Sequence, residues 1–240
     1  MTAPLIFDLD GVLVETADVH AAAWRSVARM HGLEVDAARE LELRGVPREK
    51  CLDVLLAGAH VTPAKRAFLL AEKDRRYRHE VARRGIAIRV PGVDALLRDL
   101  RAHGHRIAVA SASRNAMHLL HLAALASLVD HVSDGHFPGA PKPAPDQFLD
   151  AARELGATAD QCIVIEDSRA GTEAGRAAGM AVIGVGPALA RRPDLRGWFA
   201  TLEGIRYAEL ARLLQAPCST GEPANSIARS QGEWTFPLST

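Results

Sequence analysis

Read for its apolar and polar positions, the chain opens on a short apolar run, Leu5-Ile6-Phe7, which passes into Asp8 and Asp10 and then Gly11. Such a run, bounded by acids and a glycine, fits a short buried strand. The period then changes. Val19, Ala22, Ala23, Val27 and Met30 recur at helical spacing, with Gly32 as a stop. Further helices are expected over Ala37–Leu43, over Arg48–Leu56 with Pro47 at its start, and over the long, charged stretch Pro63–Arg84. Four helices with no strand between them, directly after a strand, read as an insertion.

From Val90 the pattern alternates. Helices are expected at Gly92–His103, Asn115–Leu125, Asp146–Leu155 and Ser168–Ala178. Strands are expected at Ile107–Ser111, Leu128–Val132, Cys162–Ile165 and Ala181–Val185. Alternation of this kind implies an α/β fold with a parallel sheet. Ligands then bind beyond the carboxyl ends of the strands. Three strands end in residues suited to chemistry: Asp8/Asp10, Ser111 to Asn115, and Glu166/Asp167. Leu195–Leu214 is expected to be a partly helical stretch packed on the core. The division is 1–14 and 87–216 for the sheet-bearing core, 15–86 for the helical insertion, and 217–240 for a mobile tail rich in Pro, Ser, Thr and Gly. Trp234 and Phe236 in that tail could instead dock on a partner or another subunit.

Composition narrows the function classes. The 240 residues are 48% hydrophobic and 24% charged, with 29 basic and 29 acidic side chains, so no excess charge recruits nucleic acid or an anionic membrane. No apolar run reaches bilayer length and no signal peptide is visible, so a cytoplasmic protein is expected. Cys51, Cys162 and Cys218 lack zinc-type spacing and read as reduced thiols. Only Lys50, Lys65, Lys73 and Lys142 are lysines in this Arg-rich chain, so Lys142, between two prolines, runs against the bias. A Gly-x-x-x-x-Gly-Lys loop and a His-Glu-x-x-His pair are both absent. His118 and His121 lie one helical turn apart without a third ligand.

Each remaining motif has a plain alternative. Glu166-Asp167 could be a charged helix start, Ser111 and Ser113 cap residues, and Lys142 a solvated loop lysine. Together and in this order they resemble something more specific. Asp8-Leu-Asp-Gly-Val, Ser111 in Ala-Ser-Ala-Ser, Lys142 in Lys-Pro-Ala-Pro-Asp and Glu166-Asp167-Ser resemble the four motifs of haloacid-dehalogenase-type phosphotransferases. Within that superfamily the resemblance, from Phe7 to about Gly186, is to the beta-phosphoglucomutase family. It implies a Rossmann-like core with residues 15–86 as an inserted helical cap.

The resemblance also implies roles. Asp8 would be the nucleophile that forms an aspartyl phosphate, and Asp10 the proton donor and acceptor. Lys142 and Ser111 would stabilise the transferring phosphoryl group. Asp8, Glu166, Asp167 and the main-chain carbonyl of Asp10 would hold Mg²⁺. Thr16 and His20 would couple cap closure to Asp10. Arg48, with Ser113, Arg114 and Asn115, would hold the phosphate that is not being transferred, and Arg44 and Lys73 would contact the substrate from the cap. Arg44 and Arg114 stand where the family has Lys, an exchange that is not neutral at a tight contact. The loop Asp134–Pro141 also departs from the family. The implied reaction is interconversion of beta-D-glucose 1-phosphate and glucose 6-phosphate by a monomeric enzyme with a small sugar phosphate as its partner. The rivals are a sugar-phosphate phosphatase on the same core and a silent binding protein.

Overall fold

The computed structural model describes residues 2–33, 35–36, 39–40, 43, 46–56 and 59–215. Of the expected features, Arg44, most of the helix at 37–43, and the tail lie outside them. The chain runs β1 (Leu5–Phe7), α1 (Ala17–Arg29), α2 (Arg48–Leu56), α3 (Pro63–Arg84), α4 (Val93–Ala102), β2 (Ile107–Ala110), α5 (Ala116–Leu122) and β3 (His131–Ser133). It continues with α6 (Asp146–Glu154), β4 (Ile163–Glu166), α7 (Arg169–Ala177), β5 (Ala181–Val185), β6 (Gly197–Phe199) and α8 (Tyr207–Gln215). The strands form one sheet in the order β3-β2-β1-β4-β5-β6, and every pairing is parallel.

The alternation of side chains along each strand divides the core into two layers. Leu5, Phe7, Ile107, Val109, Ile163 and Ile165 pack on one face against Val93, Leu96, Leu97 and Leu100 of α4, with α5 and α8 beside it. Ile6, Ala108, Ala110, Val164 and Val182 pack on the other face against Phe148 and Ala151 of α6 and Ala174 of α7. Burial on both faces explains why these strands read as unbroken apolar runs.

The helices between β1 and β2 have an apolar centre of their own. Trp24, Val27, Leu43, Cys51, Leu52, Leu55, Leu56 and Leu69 form a separate cluster. Val19 and Ala23 of α1, with Tyr77 and Val81 of α3, belong instead to the main core, so those two helices tie the insertion to the sheet layer. α3 is started by Thr62, whose side chain accepts from the Lys65 amide, with Pro63 at its first position.

Three expectations are corrected. The third strand lies at His131–Ser133 rather than Leu128–Val132, because Ala126–Leu128 form a 3₁₀ turn and Asp130 pins the strand start by accepting from the Ile107 amide at 2.8 Å. The helix expected to reach Leu125 stops at Leu122, and the chain turns through Ala124 at φ 56°. Leu195–Leu214 contains β6 as well as α8. An edge strand of three residues beginning with glycine carries too little apolar pattern to be seen in sequence.

Candidate active site

β1 lies between β2 and β4, where the connections leave in opposite directions, and its carboxyl end is the crevice such sheets offer to ligands. The ladder extends one residue past the strands. Asp8 donates its amide to the Ile165 carbonyl at 2.9 Å, and Ser111 donates its amide to the Ser133 carbonyl at 2.9 Å. Asp8, Ser111 and Glu166 are thus brought to one sheet end by backbone pairing alone.

Lys142 closes this end. Its Nζ donates to Asp8 Oδ1 at 2.5 Å, Glu166 Oε1 at 2.9 Å and the Ala110 carbonyl at 3.0 Å, so all three ammonium hydrogens have acceptors. Burial opposes its charge, but Asp8 and Glu166 outweigh burial and hold its pKa above the ordinary lysine value. Glu166 also accepts from the Ser168 amide at 2.5 Å, and Ser168 caps α7 by accepting from Gly171. A side chain at Gly171 would occupy the space of the Glu166 carboxylate, so only glycine fits there. Gly11, at φ +85°, turns the chain between Asp10 and Val14, and a Cβ there would run into the Asp167 carboxylate.

Asp8, Glu166 and Asp167 offer oxygens that all lie within 4.8 Å of one another. Three carboxylates face a single ammonium. Burial, with the neighbouring acids, pushes Asp8 up to about 7 and Asp167 up to about 9. Full ionisation of the three would therefore put more negative charge here than the surroundings support. An oxygen-only donor set with surplus charge fits a hard divalent cation such as Mg²⁺.

Asp10 faces the helical insertion. Thr16, at the start of α1, leaves its helix uncapped and donates its hydroxyl to Asp10 Oδ1. His20 Nε2 stands 3.7 Å from the same oxygen, and its Nδ1 is 2.8 Å from Lys73 Nζ. A lysine ammonium can only donate, so Nδ1 accepts and the imidazole proton sits on Nε2, toward Asp10. Burial alone would raise the Asp10 pKa, but His20, Thr16 and Lys73 outweigh it and hold the carboxyl below its ordinary range. Burial also pulls Lys73 down to about 8. The ring of His20 stacks on Tyr77 at 4.1 Å, and Lys73 Nζ lies 4.7 Å from the Tyr77 centroid.

A cavity of about 380 Å³ joins this end to a second polar region. Asp8, Asp10, Ser111, Lys142 and Asp167 line it, as do Arg48, Ser113, Arg114 and Asn115, together with Trp24, Val46 and Cys51. His20 and Lys73 line the same cavity, and Thr16 reaches it only through Asp10. Glu166, bonded to Lys142, is not itself among the lining residues. His118 and His121 are exposed on α5, away from the cavity.

Sequence reasoning did not single out Asp74, Glu49 or Gln147. Asp74 Oδ1 accepts from Asn115 Nδ2 at 2.8 Å and lies 3.9 Å from Arg48 Nη1. Glu49 Oε1 is 3.2 Å from Arg48 Nε and 3.4 Å from Arg114 Nη2. Buried Gln147 donates to the carbonyls of Ser111 at 2.9 Å and Asp134 at 3.0 Å, binding the unassigned loop to the second strand's end. The available signals were adjacency to Lys73 and Arg48, and a place in the helix that follows the Lys142 motif.

Comparison with known proteins agrees with this geometry. The haloacid dehalogenase-like hydrolase family matches residues 5–179. The chain is 34% identical over 186 residues to the beta-phosphoglucomutase of Bacillus subtilis (strain 168), covering 76% of this chain and 82% of that protein. It is 31% identical over 199 residues to the fructose-1-phosphate phosphatase YqaB of Escherichia coli (strain K12), covering 76% of this chain and 96% of the relative. The crystal structure of a beta-phosphoglucomutase from Clostridium difficile superimposes with a TM-score of 0.83 at 28% identity, over 89% of this chain and 97% of the other. The fold, the ordered motifs and the matched span agree: this chain belongs to the haloacid dehalogenase-like hydrolase family.

Proposed function

We propose that this chain is a Mg²⁺-dependent mutase interconverting beta-D-glucose 1-phosphate and glucose 6-phosphate through phospho-Asp8 and glucose 1,6-bisphosphate. The observation that carries this reading is the pairing of two anion-binding ends in one cavity. The Asp8–Lys142 end suits the phosphoryl group in transfer, and Arg48, Ser113, Arg114 and Asn115 suit a second phosphate. A monoester phosphatase has little use for the second end.

In the forward half-reaction phospho-Asp8 gives its phosphoryl group to a sugar hydroxyl. The new P–O bond forms as the Asp8–phosphorus bond breaks, and the hydroxyl proton passes to Asp10. After the bisphosphate has turned in the cavity, Asp8 attacks the other phosphate and Asp10 returns the proton to the departing oxygen. Lys142 and Ser111 bind the transferring oxygens. Asp8, Glu166, Asp167 and the Asp10 carbonyl would hold the Mg²⁺, which supplies charge neutralisation between carboxylate and phosphate. Thr16 and His20 orient Asp10, and Lys73 supports the sugar side with Arg44.

Residues 15–86 act as a cap that excludes water, since an acyl phosphate open to water hydrolyses. The reading has the enzyme acting as a cytoplasmic monomer on small sugar phosphates. Among the described residues no helix is long and apolar enough to cross a membrane, and Cys51 and Cys162 are buried free thiols.

A sugar-phosphate phosphatase is the second reading. It is favoured by the similarity to the Escherichia coli phosphatase and by the carboxylates of Asp74 and Glu49 at the second anion end. One assay separates the two. The protein is given beta-glucose 1-phosphate, Mg²⁺ and trace glucose 1,6-bisphosphate, and glucose 6-phosphate and free phosphate are followed together. Mutase activity yields mainly glucose 6-phosphate; mainly free phosphate overturns it in favour of the phosphatase.

A further inference from the structure

The second anion end is already occupied from within the chain. Asp74, on α3, accepts from Asn115 Nδ2 at 2.8 Å and sits 3.9 Å from Arg48 Nη1, while its other oxygen is 3.0 Å from Arg78 Nε one helical turn on. Glu49 Oε1 lies 3.2 Å from Arg48 Nε and 3.4 Å from Arg114 Nη2. Arg48, Arg114 and Asn115 therefore already face carboxylates. Two of these contacts, Asp74 to Asn115 and Glu49 to Arg114, run from the helical insertion to the core.

We infer that Asp74 is a specificity-determining residue that acts as an internal stand-in for the second phosphate. This rests on the reading of Arg48 and Asn115 as that phosphate's seat. Asp74 Oδ1 accepts one of the two Asn115 Nδ2 hydrogens and stands 3.9 Å from Arg48 Nη1, so a phosphate dianion bound by these two residues is set beside a carboxylate, and like charges in contact repel. Asp74 has somewhere to go. The Arg78 guanidinium already holds its other oxygen, so a change of side-chain rotamer moves the carboxylate off Asn115 and leaves it paired. Without a ligand, Asp74 ties the insertion to the core. With a ligand, it sets the strength of phosphate binding below what the arginines alone would give. In a mutase this matters directly, because the bisphosphate must leave this end to turn round.

The test is calorimetric binding of glucose 1,6-bisphosphate, with Mg²⁺, to protein carrying Asp8→Asn so that no phosphoryl group transfers. Adding Asp74→Asn, or Asp74→Ser, which removes the competing carboxylate and most of its reach, should tighten binding about 5- to 20-fold. Adding Arg48→Ala as well should abolish that gain, since the two side chains act on one phosphate. Far-UV circular dichroism and melting identify any variant that fails to fold, and the other substitution then decides. Unchanged or weaker binding in the folded variants overturns the inference, because Asp74 would then only organise Arg48 and Asn115. A gain that survives Arg48→Ala also overturns it, since the effect would lie in the insertion as a whole. No bisphosphate binding by any variant removes both the inference and the mutase reading. A wild-type enzyme that releases only free phosphate, with tighter bisphosphate binding in the Asp74 variants, removes the mutase reading and supports the inference.

Discussion

The two ends of the cavity differ in how firmly they are built. At the Asp8 end the ammonium contacts run from 2.5 to 3.0 Å, and the side chains of Lys142 and Glu166 are 2% and 1% exposed. At the Arg48 end the ion pairs stretch to 3.9 Å, and the side chains of Arg114 and Glu49 are 43% and 40% exposed. Buried charges interact strongly and tolerate little change, whereas half-exposed pairs are screened and can exchange partners. In the proposed function the first end serves one chemical event, and the second takes hold of a ligand and lets it go.

The sharpest way to break that contrast is at Asp8. Asp8→Asn should lower turnover by at least about 10³-fold and leave no covalent phosphate on the protein, read by mass spectrometry of the enzyme after reaction. A retained phosphoenzyme would remove Asp8 from its role.

Arg48→Ala should be milder and selective. Bisphosphate-dependent conversion should fall by about 10- to 100-fold, and hydrolysis of p-nitrophenyl phosphate, with no second phosphate, by less than about 3-fold. Equal loss in both would mean that the two ends do not act on separate phosphates.

Mg²⁺ at about a hundred times its Kd should stabilise the wild type by roughly 3 kcal/mol, read as a rise in melting temperature that EDTA reverses. Asp167→Asn should remove most of that rise. Its metal-free form should melt no lower than wild type, because burial beside Glu166 and Asp8 already holds that carboxyl in its neutral form and the amide replaces it without loss of charge.

The smallest effect is expected at Lys73. Its value of about 8 in the folded protein lies below the ordinary 10.5, so burial of the charged form costs stability. With fewer protons bound in the folded than in the unfolded state, that cost is fully present below pH 8 and fades as pH rises from 8 to 10.5. Lys73→Met should therefore stabilise the protein by about 1–2 kcal/mol at pH 7, less the loss of its ring and His20 contacts, and by little at pH 10. It should also raise the KM for sugar phosphate. Chemical denaturation at the two pH values checks the sign.

Much of this was legible in the chain. The strands at Leu5–Phe7 and Ala181–Val185, and the helices at Arg48–Leu56 and Pro63–Arg84, fall where apolar period and capping residues put them. Asp8, Ser111, Lys142, Glu166 and Asp167 were visible because each follows a strand or stands out against an Arg-rich composition. Less legible were β6, which is short and lies at the sheet edge, and the true start of β3, which Asp130 determines through a partner 23 residues away. Asp74 was invisible for another reason. On a helix crowded with Glu, Asp and Arg, one more acid is indistinguishable from a solvated surface charge.

What the amino-acid sequence determined by itself was therefore local and periodic: which segments bury one face or two, and which strand ends carry acids and hydroxyls. Local rules suffice there, because burial and backbone pairing act between near neighbours or along a regular ladder. Only the tertiary structure decided which charges meet. Lys142 reaches Asp8 across 134 positions and Asn115 reaches Asp74 across 41. Pairings at that separation depend on the packing of whole layers, and the balance of charge at each end of the cavity follows from them.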